Sequence, residues 1–249
     1  MKSTTTFLFN AVFIALISIT SFSGCDKNDA LPQTCSNGIK DADETGVDCG
    51  GSCNDCTTEA FRIKTYSHTA FSTSSSGYTT ETYTYDNKGR VSTITYTGFF
   101  TGVSTYTYGN GNVTLVDRNN STSVYTLNSL GYATSVTWVG GPTYTFLYDS
   151  EWQLLDDGTG IYSWTANNIT LVKPEMSNFA YLADKVNTVG NINKGISFLG
   201  KDSKNLPESK QYGLGGKYFY TYEYDSQNRV TKAIEVGNTV WEPFVYTYF

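Results

Sequence analysis

From Phe61 to the last residue, the chain alternates aromatic and polar positions with a period of two. Six segments carry an aromatic residue, one intervening residue, a second aromatic residue and then turn formers, with Leu127 taking the second aromatic place in one of them. They are Tyr83-Thr84-Tyr85-Asp86, Tyr106-Thr107-Tyr108-Gly109, Tyr125-Thr126-Leu127-Asn128, Phe146-Leu147-Tyr148-Asp149, Tyr162-Ser163-Trp164-Thr165 and Tyr222-Glu223-Tyr224-Asp225. Residues two apart lie on the same face of a strand, so each segment predicts a strand with its rings on one side. The starts are 23, 19, 21, 16 and 60 residues apart, which makes a loose repeat with one long insertion, about residues 173–216.

The residues after each segment predict how the chain turns. Asp86, Asn128, Asp149, Thr165 and Asp225 open the turns, and such side chains accept hydrogen bonds from the amides just ahead. Gly89, Asn112, Gly131, Asn168 and Asn228 stand at the fourth position, where a left-handed residue closes a hairpin. Trp152 occupies that place in the fourth segment, so a different turn is expected there. The returning strands are Arg90 to Thr97, Ala133 to Val139 and Arg229 to Val236. Their apolar residues fall three apart, as Val91 and Ile94 do and Ala133 and Val136 do, which predicts a bulge after each turn and a strongly curved sheet. The fold class expected is all-β: a curved antiparallel meander of hairpins, forming a half-barrel or open barrel. One short helix is also expected, because Met176, Phe179, Ala180, Ala183 and Val186 make a helical stripe with Pro174 near its start.

The beginning of the chain follows other rules. Lys2 precedes an apolar run from Phe7 to Ile19, too short to span about 30 Å of hydrocarbon as a helix, which needs about 20 residues. The run ends in Phe22-Ser23-Gly24-Cys25, which resembles the lipobox of bacterial lipoproteins, with Phe22 where leucine is usual. That resemblance implies a signal peptide at 1–24, lipidation of Cys25, a polar tether at 25–34 and a place in the cell envelope as an outer-membrane lipoprotein. It also accounts for the odd cysteine, since Cys35, Cys49, Cys53 and Cys56 remain as an even set.

Those four cysteines define a small acidic module at 35–57. Two disulfides, in any of three pairings, would staple a loop too short to have a core. A four-thiolate zinc site is disfavoured for thiols exported past an oxidising machinery. Calcium at Asp41, Asp43 and Asp48, with Glu44 beside them, would be irregular, because Thr45 and Ser52 stand where an EF-hand loop has ligands. The module closely resembles a short acidic cysteine motif of proteins exported by Bacteroidetes-type bacteria.

The segments Tyr83 to Ile94 and Tyr222 to Ile234 resemble bacterial YD repeats. With the run Gly200-Lys201-Asp202-Ser203-Lys204-Asn205-Leu206-Pro207, residues 61–249 resemble a family of Bacteroidetes-type lipoproteins whose fold is described as porin-like. The resemblance implies hairpins forming a partly closed antiparallel sheet, and no enzymatic activity. The terminal Phe249 resembles the assembly signal of outer-membrane barrels. The lipobox and the threonine-rich strands oppose a lipid-facing reading and favour a closing strand in a soluble sheet.

Composition narrows the chemistry. The chain has 249 residues, a formal charge of −6, one histidine, 15% aromatic residues and about one threonine in seven. Acidity without basic blocks excludes a nucleic-acid groove. His68 alone makes histidine-based metal sites and triads improbable, and it is expected exposed on a strand or loop. No phosphate loop or serine elbow is present, so no cofactor and no enzyme activity are expected. Paired carboxylates for glycoside hydrolysis stay open as a minor alternative. The leading expectation is a membrane-anchored module that binds a ligand, a glycan or an envelope protein, with a structural spacer as the alternative. Tyr106, Tyr108, Trp138, Tyr162, Trp164 and Trp241 are the candidate stacking residues.

Overall fold

The computed structural model describes residues 59–72, 75–174, 176–213, 215–237 and 243–249. Cys25, the four cysteines of the acidic module, Asp41, Asp43, Asp48 and Trp241 lie outside the described residues.

The strands are β1 (Ile63–Phe71), β2 (Ser76–Tyr85), β3 (Val91–Gly98), β4 (Gly102–Gly109), β5 (Asn112–Val116), β6 (Thr122–Leu127), β7 (Ala133–Trp138), β8 (Thr143–Thr145) and β9 (Leu147–Tyr148). They continue as β10 (Leu154–Asp156), β11 (Ile161–Thr165), β12 (Asn168–Lys173), β13 (Ser177–Val186), β14 (Asn205–Tyr212), β15 (Lys217–Tyr224), β16 (Val230–Val236) and β17 (Phe244–Tyr248). β1 pairs antiparallel with both β2 and β17, so the expected meander returns on itself as a barrel. β8 and β9 form one path interrupted at Phe146, whose N–H donates to Thr134 O. Counted so, the seventeen strands form a ring of sixteen.

The repeat turns all fall at one end of the barrel. At Asp86 the carboxylate oxygen Oδ1 accepts from the amides of Lys88 (3.0 Å) and Arg90 (2.9 Å), while Gly89 takes a φ of +77°. Asn128, Asp149 and Asp225 repeat this pattern. Asp117 builds the same turn at the other end, with Asn120 left-handed, although no aromatic pair precedes it. Two expectations fail here. Trp152 does adopt the left-handed conformation, at φ +61°, and its ring stacks on Tyr132 at 4.9 Å and 3°. The turns after Tyr108 and Thr165 are instead two-residue loops, with Gly111 in one and Ala166 and Asn167 in the other at positive φ, so Asn112 and Asn168 are strand residues.

Each bulge turns the chain so that the first residue of the returning strand points inward. The register shifts at Tyr85, Leu127 and Tyr224 let Val91 and Ile94, Ala133 and Val136, and Val230 and Ala233 all face the interior. Ile63, Val91, Val113 and Val230 are fully buried, each contributing about 1.5–3 kcal/mol.

Between β13 and β14 a segment, residues 187–204, replaces the repeat turn and closes the same end as a plug. It supplies acceptors to strand N–H groups that the ladder leaves unpaired. Ile63 donates to Asn193 O, Val91 to Gly195 O, Val230 to Thr188 Oγ1 and Ile169 to Ser203 Oγ, at 2.9–3.0 Å. Such pairing matters because an unmatched buried amide is costly. Gly195 (φ +70°) must be glycine, since a Cβ would lie 2.6 Å from Val91 N. Phe198 packs edge-on between Tyr108 and Tyr125 and joins Val113 and Ala133 in the core.

The expected helix at 174–186 is a strand. β13 pairs with β14 from Ser177↔Tyr212 to Val186↔Asn205, and a register shift between Ala180 and Tyr181 breaks the two-residue alternation. That irregularity produced the helix-like apolar spacing, and sheet pairing overrides it. Pro174 follows a cis peptide bond in the preceding turn.

Outside the barrel, threonine and serine hydroxyls bond across strands, as Thr65 with Thr247 (2.6 Å), Ser67 with Thr80 (2.8 Å), Thr84 with Thr93 (2.6 Å) and Thr137 with Thr143 (2.9 Å).

Candidate functional site

Strand alternation sends most of the candidate rings inward. Tyr106 packs against both core clusters. Tyr108 lies under the Arg90 guanidinium, 3.8 Å from its ring centre, in a position set by the Asp86 carboxylate that grips the same guanidinium. Neither ring is a solvent-facing platform. Trp138 is 51% exposed at the end opposite the plug, tilted against Tyr144 at 5.7 Å. Tyr162 and Trp164 stand two apart on β11, and both border one cavity with the plug residues Leu199 and Asp202.

A cleft of about 400 Å³ opens beside the plug, between it and the hairpin tips that carry Glu151 and Asn167. Trp164, Gln153, Asn187, Lys201 and Asp202 line it, with Lys204 at its mouth. A second cavity of about 230 Å³ lies deeper, against Asp157, Tyr162 and Leu199. Trp164, Lys201 and Asp202 border both. Local sequence fixes these walls. The Trp164 indole N–H donates to Leu154 O (2.7 Å), which holds the ring across β10 and β11. Gln153, the first residue after the Asp149 turn, points inward and donates to Asn167 Oδ1 at 2.7 Å. On the plug side, Asn187 donates to Ser203 O, Lys204 N–H donates to Asn167 O, and the buried amides of Asn168 and Asn205 bond each other. The run from Gly200 to Pro207 is therefore the plug's return path into β14, and Leu206 within it is 1% exposed.

The carboxylates here differ in state. Burial pushes the Asp202 carboxyl above the usual aspartate range, and the amide of Asn191 and the charge of Lys194 offset this only in part. Asn191 supplies the one hydrogen bond it receives among the described residues. Asp157 is the reverse case. Burial opposes its ionisation, but bonds from Thr159, Tyr162 and Gly160 outweigh that and hold it low. Asp157 is thus occupied in its turn, whereas Asp202 has unused accepting capacity beside a cavity.

His68 is a correction. It faces the barrel interior, stacked on Tyr66 at 4.6 Å, with Nε2 3.2 Å from Glu81 Oε1. Glu81 also accepts from Tyr83 Oη at 2.5 Å. These groups form an internal polar cluster. Among the described residues no group of metal-ligating side chains assembles.

The importance of Asp202 and Gln153 was missed at the sequence level. Both sit in segments read for other reasons, Asp202 in the Gly-Lys-Asp-Ser-Lys-Asn-Leu-Pro run and Gln153 after an anomalous turn. An acid inside a long insertion was the available signal.

No family model and no curated protein matches the sequence. The fold is similar to the crystal structure of a porin-like protein from Bacteroides uniformis ATCC 8492, with a TM-score of 0.55 and 19% identity, covering 75% of this chain and 96% of that one. A porin-like protein from Bacteroides vulgatus ATCC 8482 aligns with a TM-score of 0.49 and 11% identity, over 76% of this chain and 98% of that one. The likeness to the first is one of fold.

Proposed function

We propose that this protein is a lipid-anchored component of the bacterial envelope that binds a small polar, ring-bearing ligand in the cleft beside its plug. The observation that carries the reading is the cleft itself, in which the Trp164 ring, three side-chain amides, two carboxylates and two ammoniums line about 400 Å³. Ligand sites combine an apolar face with a few convergent polar groups in this way, and sugar rings stack on indole. Binding rather than hydrolysis is supported by Asp157, whose carboxylate oxygens are both engaged, one in its own turn and one by the Tyr162 hydroxyl of β11. The plug and inward rings argue for a filled barrel rather than a pore. Hydroxyl ladders on the outer face suit water, since an outward band in a bilayer is apolar. Anchoring rests on Cys25 and the sequence around it.

Two experiments test this. Titration with envelope-derived saccharides, followed by tryptophan fluorescence, should show saturable binding that Trp164→Ala weakens about tenfold or more and Trp138→Ala leaves intact. Equal binding by the Trp164→Ala variant would remove the cleft from consideration. Cys25→Ala should move the protein from the membrane fraction to the soluble one, and unchanged fractionation would refute the anchor.

A further inference from the structure

We propose that the cleft selects a ligand carrying a protonated amine on its ring, an amino sugar whose amine is free, with Asp202 as the group that recognises it. The inference rests on the binding reading above and adds the chemical class.

Asp202 carries the argument. Its carboxylate sits at the junction of the two cavities, bordering both. It accepts one hydrogen bond, from Asn191 N–H, and has no ion-pair partner among the described residues. An ionised carboxylate offers about four acceptor positions, so most of its capacity is unspent. Fold stability supplies no reason to leave it so, because a shielded charge without a partner is costly. Lys194, the plug cation that acts on it, is turned to the Tyr66 ring at 4.9 Å. Lys204 and Glu151 are exposed at the mouth, where water and salt screen them, and Lys201, which borders both cavities, is exposed and makes no ion pair with Asp202 among the described residues. Asp202 is therefore the shielded, unpaired acid of the cleft, and an ammonium bound against it would favour its ionised form.

The remaining wall fits the same ligand. Trp164 borders both cavities and offers a ring against which the C–H face of a sugar can lie. Asn187 and Gln153 can meet hydroxyls, and a charged amine gives the carboxylate its strongest kind of hydrogen bond. An acetylated amine keeps the sugar ring but loses the charge and adds an acetyl group, whereas a hydroxyl in its place loses the charge without added bulk.

The test compares three β-1,4 disaccharides that differ only at C2, those of glucosamine, N-acetylglucosamine and glucose, by calorimetry on the full mature chain. The glucosamine disaccharide should bind about tenfold or more tightly than the other two. Asp202→Asn should remove the preference for the glucosamine disaccharide over the other two, while Trp164→Ala should weaken all three. If the three bind equally to the unaltered protein, the amine assignment is overturned and the binding site stands. If none binds, the binding reading falls and this inference falls with it. Should Asp202→Asn fail to fold, the comparison of sugars on the unaltered chain decides alone.

Discussion

Nε2 of His68 stands 3.2 Å from Oε1 of Glu81 across the β1–β2 ladder, inside the barrel. The hydrogen bond to Glu81 is the main reason the imidazole titrates above its usual 6.5, ahead of the opposing effect of burial. Burial opposes ionisation of Glu81, but bonds from His68 and Tyr83 and the charge of Lys194 hold its carboxyl below 4.5. The histidine contribution is present below pH 6.5 and is lost as pH rises through its raised value. The glutamate contribution is present above pH 4.5 and is lost as pH falls through its lowered one. The pair therefore stabilises the fold most between these limits. His68→Gln should lower the melting temperature by about 2–4 °C near pH 5.5, and by less near pH 9. Thermal melts at both pH values check this, and an equal loss at both would remove the ion pair from the account.

At Asp225 the carboxylate takes the amides of Gln227 and Arg229 and the Arg229 guanidinium together. Asp225→Ala should cost about 1–3 kcal/mol in urea unfolding. Asp225→Asn should cost less, because its carbonyl can keep both backbone bonds, as Asn128 does in its own turn. If the two variants are equally destabilised, the guanidinium contact outweighs the amides.

Trp152 is held left-handed while its ring lies flat on Tyr132. Trp152→Gly relieves backbone strain of about 1 kcal/mol but forfeits the stacked ring, which is worth more. The expected result is a net loss of about 1–3 kcal/mol in chemical denaturation. A gain would show that strain dominates at this turn.

Phe198→Ala should remove the plug's main apolar anchor, against Val113 and Ala133. A loss of about 3–4 kcal/mol is expected, together with faster amide exchange at Ile63 and Val91, whose N–H groups bond the plug. Unchanged exchange there would mean that the plug is held by its hydrogen bonds alone.

The strands were legible because aromatic residues two apart and Asp or Asn at the turn are short-range signals. The bulges were legible too, since Val91 and Ile94 can both face inward only if one residue is extra. Two-residue loops at Gly111 and Asn167 hid behind a longer turn pattern that their sequences also fit. β13 misled because a bulge at Ala180 imitates the spacing of a helix. The cleft was partly visible in Tyr162 and Trp164, whereas Asp202 depends on how a long insertion folds back through the barrel. Such long-range packing leaves no periodic trace.

Closure has a consequence for how such a protein can change. In a ring where every neighbour runs the opposite way, removing one strand would force two parallel strands side by side, and a short turn cannot join those. The circumference can therefore grow or shrink only in steps of two. Each step is one hairpin, close to the 16–23 residues that separate most of the repeat segments. Relatives with wider or narrower barrels should differ by whole repeat units, with the plug lengthened or trimmed to match the bore.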